Sequence, residues 1–168
     1  MKHSVYCIAA TRAQAETIVD GLKNAGFASS EISVLMADKA GTKEFAEAKH
    51  TNAPGGAAAG AGIGGILGWL AGIGMLAIPG VGPFIAAGPI MGALGGAAAG
   101  GAVGGIIGAL TGMGVADEHA KVYDTRIRNG GVLVSVHTDT AAQIAAAHEI
   151  FKRHNAEHVN SAGVLVAH

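Results

Sequence analysis

The residues of this 168-residue chain best suited to metal or acid–base chemistry are eight histidines and one cysteine. The histidines are His3, His50, His119, His137, His148, His154, His158 and His168. His154-x-x-x-His158 would set two imidazoles one turn apart on a continuous helix, but Asn155 and Glu157 between them favour a helix end. His3 and His137 would be neighbours if the strands carrying them pair and both rings share one sheet face, with Cys7 close by. No CxxC or HExxH pattern accompanies them, so the spacing defines no metal site. The expectation is surface or interface histidines that titrate near neutrality. Ser135, His137 and Asp139 alternate along a strand and its exit, which is not the geometry of a triad. Cys7 lacks an identifiable activating base and reads as a small buried residue. Gly62-x-Gly64-x-x-x-Gly68 approaches a nucleotide loop, but no Lys-Ser/Thr follows. Trp69 reads as packed or lipid-facing. The expectation is no catalytic, cofactor-binding or metal-ligating residue, no bound cofactor, and a chain that is not an enzyme.

The elements around these residues are constrained first by charge. The chain has 11 basic and 12 acidic residues, a formal net charge of −1 and only 4% aromatic residues. No basic patch with interleaved aromatics points to nucleic acid, and no small-molecule substrate is identifiable. One cysteine excludes an internal disulfide and suits a reducing cytoplasm. Met1-Lys2-His3-Ser4-Val5-Tyr6 lacks the extended apolar core of a secretory signal. Any membrane insertion would then use an internal segment as its own signal.

That segment runs from Thr51 to Ala116 without a single Asp, Glu, Lys, Arg or His, and carries 22 of the 28 glycines. Two ladders recur every four residues. The first is Gly56, Gly60, Gly64, Gly68 and Gly72; the second is Gly88, Gly92, Gly96, Gly100, Gly104, Gly108 and Gly112. A period of four lays a bare strip along one side of a helix. Ile78-Pro79-Gly80-Val81-Gly82-Pro83 separates the ladders as a turn signal. Glycine costs about 1 kcal/mol of helix propensity relative to alanine, so a helix here needs a setting that penalises open backbone. A bilayer does so, and small-xxx-small packing then compensates. Helices over 55–78 and 89–114 would each be about 36–39 Å long, enough to span a hydrocarbon core of about 30 Å with tilt. The segment at 55–115 is therefore expected to form a glycine-zipper helical hairpin, transmembrane and self-packing.

The flanks repeat one plan. Ser4–Ala9 reads as a strand, Thr11-x-x-Gln14 as a capping box opening an amphipathic helix that Gly26 ends, and Glu31–Met36 as a second strand. Later, Asp117–Asn129 reads as a helix with Asp117 as N-cap and an apolar stripe of Ala120, Tyr123 and Ile127. Val132–His137 reads as a strand, Thr140-x-x-Gln143 opens another helix, and Gly163–Ala167 reads as the last strand. The fold class expected is α+β, a ferredoxin-like β-α-β-β-α-β sandwich with the hairpin inserted between strands two and three. Residues 1–38 and 131–168 are its two halves, 39–54 a polar connector, and 116–130 an added amphipathic helix. In this arrangement the helices cover one sheet face. The open face is then expected to be buried by a second copy.

Gly114-Val115-x-x-x-x-Ala120-x-x-Tyr123, running into Gly130-Gly131-Val132-Leu133-Val134-Ser135-Val136 behind a Gly/Ala-rich apolar insert, resembles the bacterial heat-induced general stress protein domain family. The likeness follows the chain in order and is densest from Gly114 to His137. It implies a bacterial, stress-associated protein without known enzymatic activity, and supplies no catalytic residues. Together these readings point to a membrane protein that self-associates through the twelve ladder glycines and its soluble head. Its partners would be membrane lipid and copies of itself. Lys39, Lys43 and Lys49 before the segment, and Lys121, Arg126 and Arg128 after it, would keep the head and both termini on the cytoplasmic side of a bacterial inner membrane. The alternative is a cytoplasmic particle or filament whose apolar hairpins pack in a lipid-free core. A pore, or a ligand-binding regulator working through the open sheet, ranks below both.

Overall fold

The computed structural model describes residues 3–37, 74–78, 82–90, 92, 94 and 105–163. Its elements in chain order are β1 (His3–Ala9), α1 (Arg12–Asn24), a single 3₁₀ turn (Ser29–Glu31), β2 (Ile32–Ala37), β3 (Gly74–Ile78), β4 (Gly82–Ala87), α2 (Gly105–Gly112), α3 (Asp117–Arg128), β5 (Val132–Thr138), α4 (Ala141–Arg153) and β6 (Glu157–Gly163). The fold is α+β. One antiparallel sheet has the order β3-β4-β2-β5-β1-β6. Within it, β5 lies between β1 and β2, and β1 between β5 and β6, so the two β-α-β units interleave.

Local chemistry sets the helix ends. The N–H of Gln14 donates to Thr11 Oγ1 at 3.2 Å, and that of Gln143 donates to Thr140 Oγ1 at 3.2 Å, so both Thr-x-x-Gln starts are realised. All four helices stop in the same way. A residue at positive φ (Gly26, Gly114, Gly130 or Asn155) follows the helix. The next amide then returns to a carbonyl five residues back: Phe27 to Leu22, Val115 to Leu110, Gly131 to Arg126, Ala156 to Phe151. This is the Schellman stop, favoured by glycine and tolerated by asparagine. The N-terminus of α3 departs from expectation: Ala116 is the N-cap and makes no side-chain cap bond, while Asp117 lies one position inside. An acidic residue in that first turn still complements the positive end of the helix.

Side chains alternate across the sheet, and both faces are covered. On the first face, α1 (Ala15, Ile18, Val19, Leu22) and α4 (Ala147, Ile150, Phe151) pack on Val5, Cys7, Ala9, Val34, Met36, Val132, Val134 and Val136. Gly21 lets the two helices approach, since a Cβ there would stand 3.1 Å from both Ile150 Cγ2 and His154 Nε2. On the second face, Ile106, Ala109 and Leu110 of α2, Ala120, Tyr123 and Ile127 of α3, and the helical residues Ile90 and Leu94 pack on Tyr6, Ile8, Leu35, Phe84, Ala86 and Leu133. The result is a three-layer sandwich.

Four expectations meet a different outcome. The second sheet face is not open. The amphipathic stripe of α3 and the apolar residues of the uncharged segment fill it, which removes the exposed face as a reason for a second copy to bind. Next, Gly74–Ile78 and Gly82–Ala87 are strands that pair antiparallel with each other, so the expected helix over 55–78 does not include its last turn and a half. Pairing of β4 on the free side of β2, in register from Val34–Ala87 to Ala37–Phe84, bonds backbone that weak glycine helicity would hold poorly. Likewise the expected helix over 89–114 reaches only Gly112, where Gly114 at φ 89° ends it. Finally, pairing with β1 begins soon after Asn155 turns the chain, giving the strand Glu157–Gly163; of the expected strand Gly163–Ala167 only Gly163 lies among the described residues. Among the described residues no helix is long and apolar enough to cross a membrane. All five positions of the first ladder, Trp69 and the polar connector lie outside the described residues.

Candidate functional site

The polar chemistry of the second face gathers at one end of the sheet. Ser4 on β1 sits opposite His137 on β5, and Tyr6 sits opposite Ser135. Ser135 in turn faces Ser33 on β2. Strand alternation places all five on the face shared with Leu133 and Ile8. Ser4, Ser33 and Ser135 are buried, and Ser4 is completely so. Ser4 Oγ lies 2.5 Å from His137 Nδ1, and the Tyr6 hydroxyl also bonds Ser4. The amide of Ile90 donates to Ser33 Oγ at 3.3 Å, tying the helical residues after β4 to this end of the sheet. A hydroxyl hydrogen-bonded to an imidazole is the pairing that activates a serine nucleophile. With Ser4 fully enclosed, the bond instead satisfies two polar groups inside the sandwich.

Beside this track, Tyr6 and Tyr123 stack with ring centroids 6.3 Å apart and planes inclined by 29°. The Tyr123 hydroxyl donates to the carbonyl of His158 at 2.8 Å, fastening α3 to β6. Burial raises the pKa of Tyr6, with the Ser4 hydrogen bond pulling weakly the other way. Burial likewise raises that of Tyr123. The Cys7 thiol, on the opposite face, is also pushed up by burial. A buried thiol of raised pKa is a poor nucleophile, in keeping with its reading as a small core residue.

The histidine pairings are separated. His137 shares its face with Ser4, whereas His3 shares the other with Val5 and Cys7, because positions one apart on a strand point to opposite sides. His154 is the C-cap of α4 and His158 lies in β6, so they do not share a helix turn. Among the described residues no group of three or more His, Cys, Asp or Glu is placed to hold a metal ion. His148 pairs with Ser161, Nε2 to Oγ 2.6 Å. It lines a shallow surface groove of about 460 Å³ with Lys152, Asn155, Ala156 and Val159, between α4 and β6.

Of the ladder glycines, Gly56, Gly60, Gly64, Gly68, Gly72, Gly96, Gly100 and Gly104 lie outside the described residues. Gly88 is not part of a helical strip. It turns the chain after β4 at φ 80°, and a Cβ there would come 2.1 Å from the carbonyl oxygen of Ile32. Gly92 and Gly112 are exposed, with nothing within 4 Å of a built Cβ, and Gly108 is half-buried in α2. Sequence reading passes over the Ser4–His137 pair. Its only trace is a polar residue at a position that strand alternation turns inward. No protein-family model, curated protein or solved structure matches the chain.

Proposed function

We propose that this chain is a non-enzymatic, self-associating structural protein whose uncharged stretch is divided between two tasks. Residues 74–112 supply two strands and part of the second helical layer of the head. Residues 51–73, uncharged and rich in Gly, Ala, Ile and Leu, make the membrane contact. The observation that carries this reading is the abrupt loss of all ionisable side chains from Thr51 to Ala116, flanked on both sides by charge. Because β2 before this stretch and β3 after it belong to one sheet, the stretch enters and leaves on the same side, as an interfacial or re-entrant segment rather than a single span. The stress association rests on the resemblance to the bacterial heat-induced family. A ferredoxin-like head on the cytoplasmic side completes the reading.

The test is fractionation of the full chain from bacterial cells. It should sediment with membranes and resist carbonate extraction. Leu67→Arg should shift it toward the soluble fraction, since a central arginine costs roughly 3 kcal/mol of insertion. Recovery of the parent protein as a soluble monomer would remove the proposal. For the ladders, Gly64→Leu or Gly100→Leu should lower oligomeric order; unchanged assembly of both would reduce the glycine periodicity to composition.

A second reading, the lipid-free particle, is favoured by one observation. Part of the uncharged stretch is spent on packing inside the head, with Ile90, Leu94, Ile106 and Leu110 buried there. Large assemblies free of bound lipid after purification would select it.

A further inference from the structure

The two edges of the sheet differ in kind. At one edge, β6 carries Glu157, paired with Arg126 at 3.3 Å, has His158 at φ 51°, and slips register against β1 between Tyr6 and Ile8. Charge, local distortion and a bulge are the devices that keep an edge strand from pairing with another chain. At the other edge, β3 (Gly-Met-Leu-Ala-Ile) has no charge and no proline. It pairs with β4 in an unbroken register from Gly74–Ala86 to Ile78–Gly82, and among the described residues no strand flanks its outer side.

Pro83 fixes which backbone groups that outer side presents. It has no N–H, so the ladder loses no bond only if Ala77–Pro83 is a non-hydrogen-bonded pair. Gly74–Ala86, Leu76–Phe84 and Ile78–Gly82 are then the bonded pairs. The N–H and C=O groups of Met75 and Ala77 consequently point away from β4. We propose that β3 is a pairing edge and that its occupant is β3 of a second copy, antiparallel about a two-fold axis at Leu76.

This register is self-complementary. It sets Met75 of each copy against Ala77 of the other, as two bonded pairs that use all four outward groups of each strand in four hydrogen bonds. Leu76 meets its own equivalent on the axis as a non-hydrogen-bonded pair. No charge from either strand is brought to the junction. A two-fold contact of this kind closes on itself and joins two six-stranded sheets into one. The proposal rests on the self-association reading above, and names a sheet edge rather than helix strips as the contact.

The experiment uses the full chain, in detergent and in buffer, with molar mass from light scattering and mild oxidation of cysteine variants. Non-bonded antiparallel neighbours lie about 4.5 Å apart at Cα, within disulfide reach. Leu76→Cys should therefore form a covalent dimer, whereas the parent, whose one thiol is buried, should not. If Leu76→Cys folds poorly, a mixture of Met75→Cys and Ala77→Cys should cross-link while each alone should not. Ala77→Pro removes an outward N–H from each copy and no inward one, and should weaken the dimer by about tenfold or more. Absence of cross-linking at 76 and in the 75/77 mixture, or an Ala77→Pro dimer as tight as the parent's, overturns the edge. If the parent still associates, self-association stands through another surface. A parent that is monomeric in both media removes both readings.

Discussion

Gln14 closes the far end of α4. Its Nε2 donates to the carbonyls of His154 and Asn155 at 2.8 and 2.9 Å, while its Oε1 accepts the amide of Ala10 at 2.7 Å. One side chain thus satisfies a donor before α1 and two acceptors after α4, 140 residues along the chain. Gln14→Ala should cost about 1–3 kcal/mol in urea unfolding, because two terminal carbonyls lose their donor.

Gln14→Glu sharpens the point. A carboxylate would face two carbonyl oxygens, so its folded pKa should lie above its unfolded value. A group with a raised acid pKa destabilises the fold as it ionises. Gln14→Glu should therefore be less stable than the parent at pH 7 and recover part of the difference near pH 4. An equal deficit at both pH values would show that charge is not the cause.

Gly88 and Gly92 are four residues apart and predict opposite outcomes. Gly88→Ala places a Cβ against the Ile32 carbonyl at a backbone φ of 80°, and should cost several kcal/mol or detach β4 from β2. Gly92 is exposed and helical; Gly92→Ala should be neutral or stabilise by up to about 1 kcal/mol. Thermal unfolding of both variants measures the contrast.

The chain has two tyrosines, Tyr6 and Tyr123, and both are buried. Their folded pKa values lie above the unfolded value of about 10. The unfolded chain therefore releases these protons first as pH rises, so the stability they contribute is present below about pH 10 and lost above it. Phenolate absorbance near 295 nm should appear together with loss of circular dichroism in an alkaline titration. Phenolate formation in a still-folded chain would contradict the burial of the pair.

Cys7 provides an independent clock. It is the only cysteine and is fully buried between β1 and the α1/α4 layer. Its reaction with a thiol reagent should follow global unfolding, and Tyr123→Phe should accelerate it by loosening α3 from β6. Fast labelling of the native chain would show that the first layer opens locally.

Much of the head is legible in the chain because local signals agree there. Thr11 and Thr140 with their glutamines mark helix starts, Gly26 and Gly130 mark stops, and Val132–Val136 alternates as a strand. Within the uncharged stretch the signals conflict. Glycines at every fourth position read as helix, yet Gly74–Ile78 and Gly82–Ala87 are strands on either side of a Pro-Gly dipeptide, which also signals a hairpin. Tertiary pairing along β2 decides between them, and no local pattern encodes that neighbour. The strand Glu157–Gly163 is missed for the same reason: its polar residues carry little strand propensity, and only the register on β1 defines it. The Ser4–His137 contact needs the register of β1 on β5, which sequence spacing alone does not supply.

Ala37 ends β2, and Gly74 begins β3 on the far side of β4. Two strand spacings separate them, roughly 10 Å. The two attachment points of the intervening chain therefore lie close together on the sheet. Its length can thus change by many residues without altering the sheet to which it is moored.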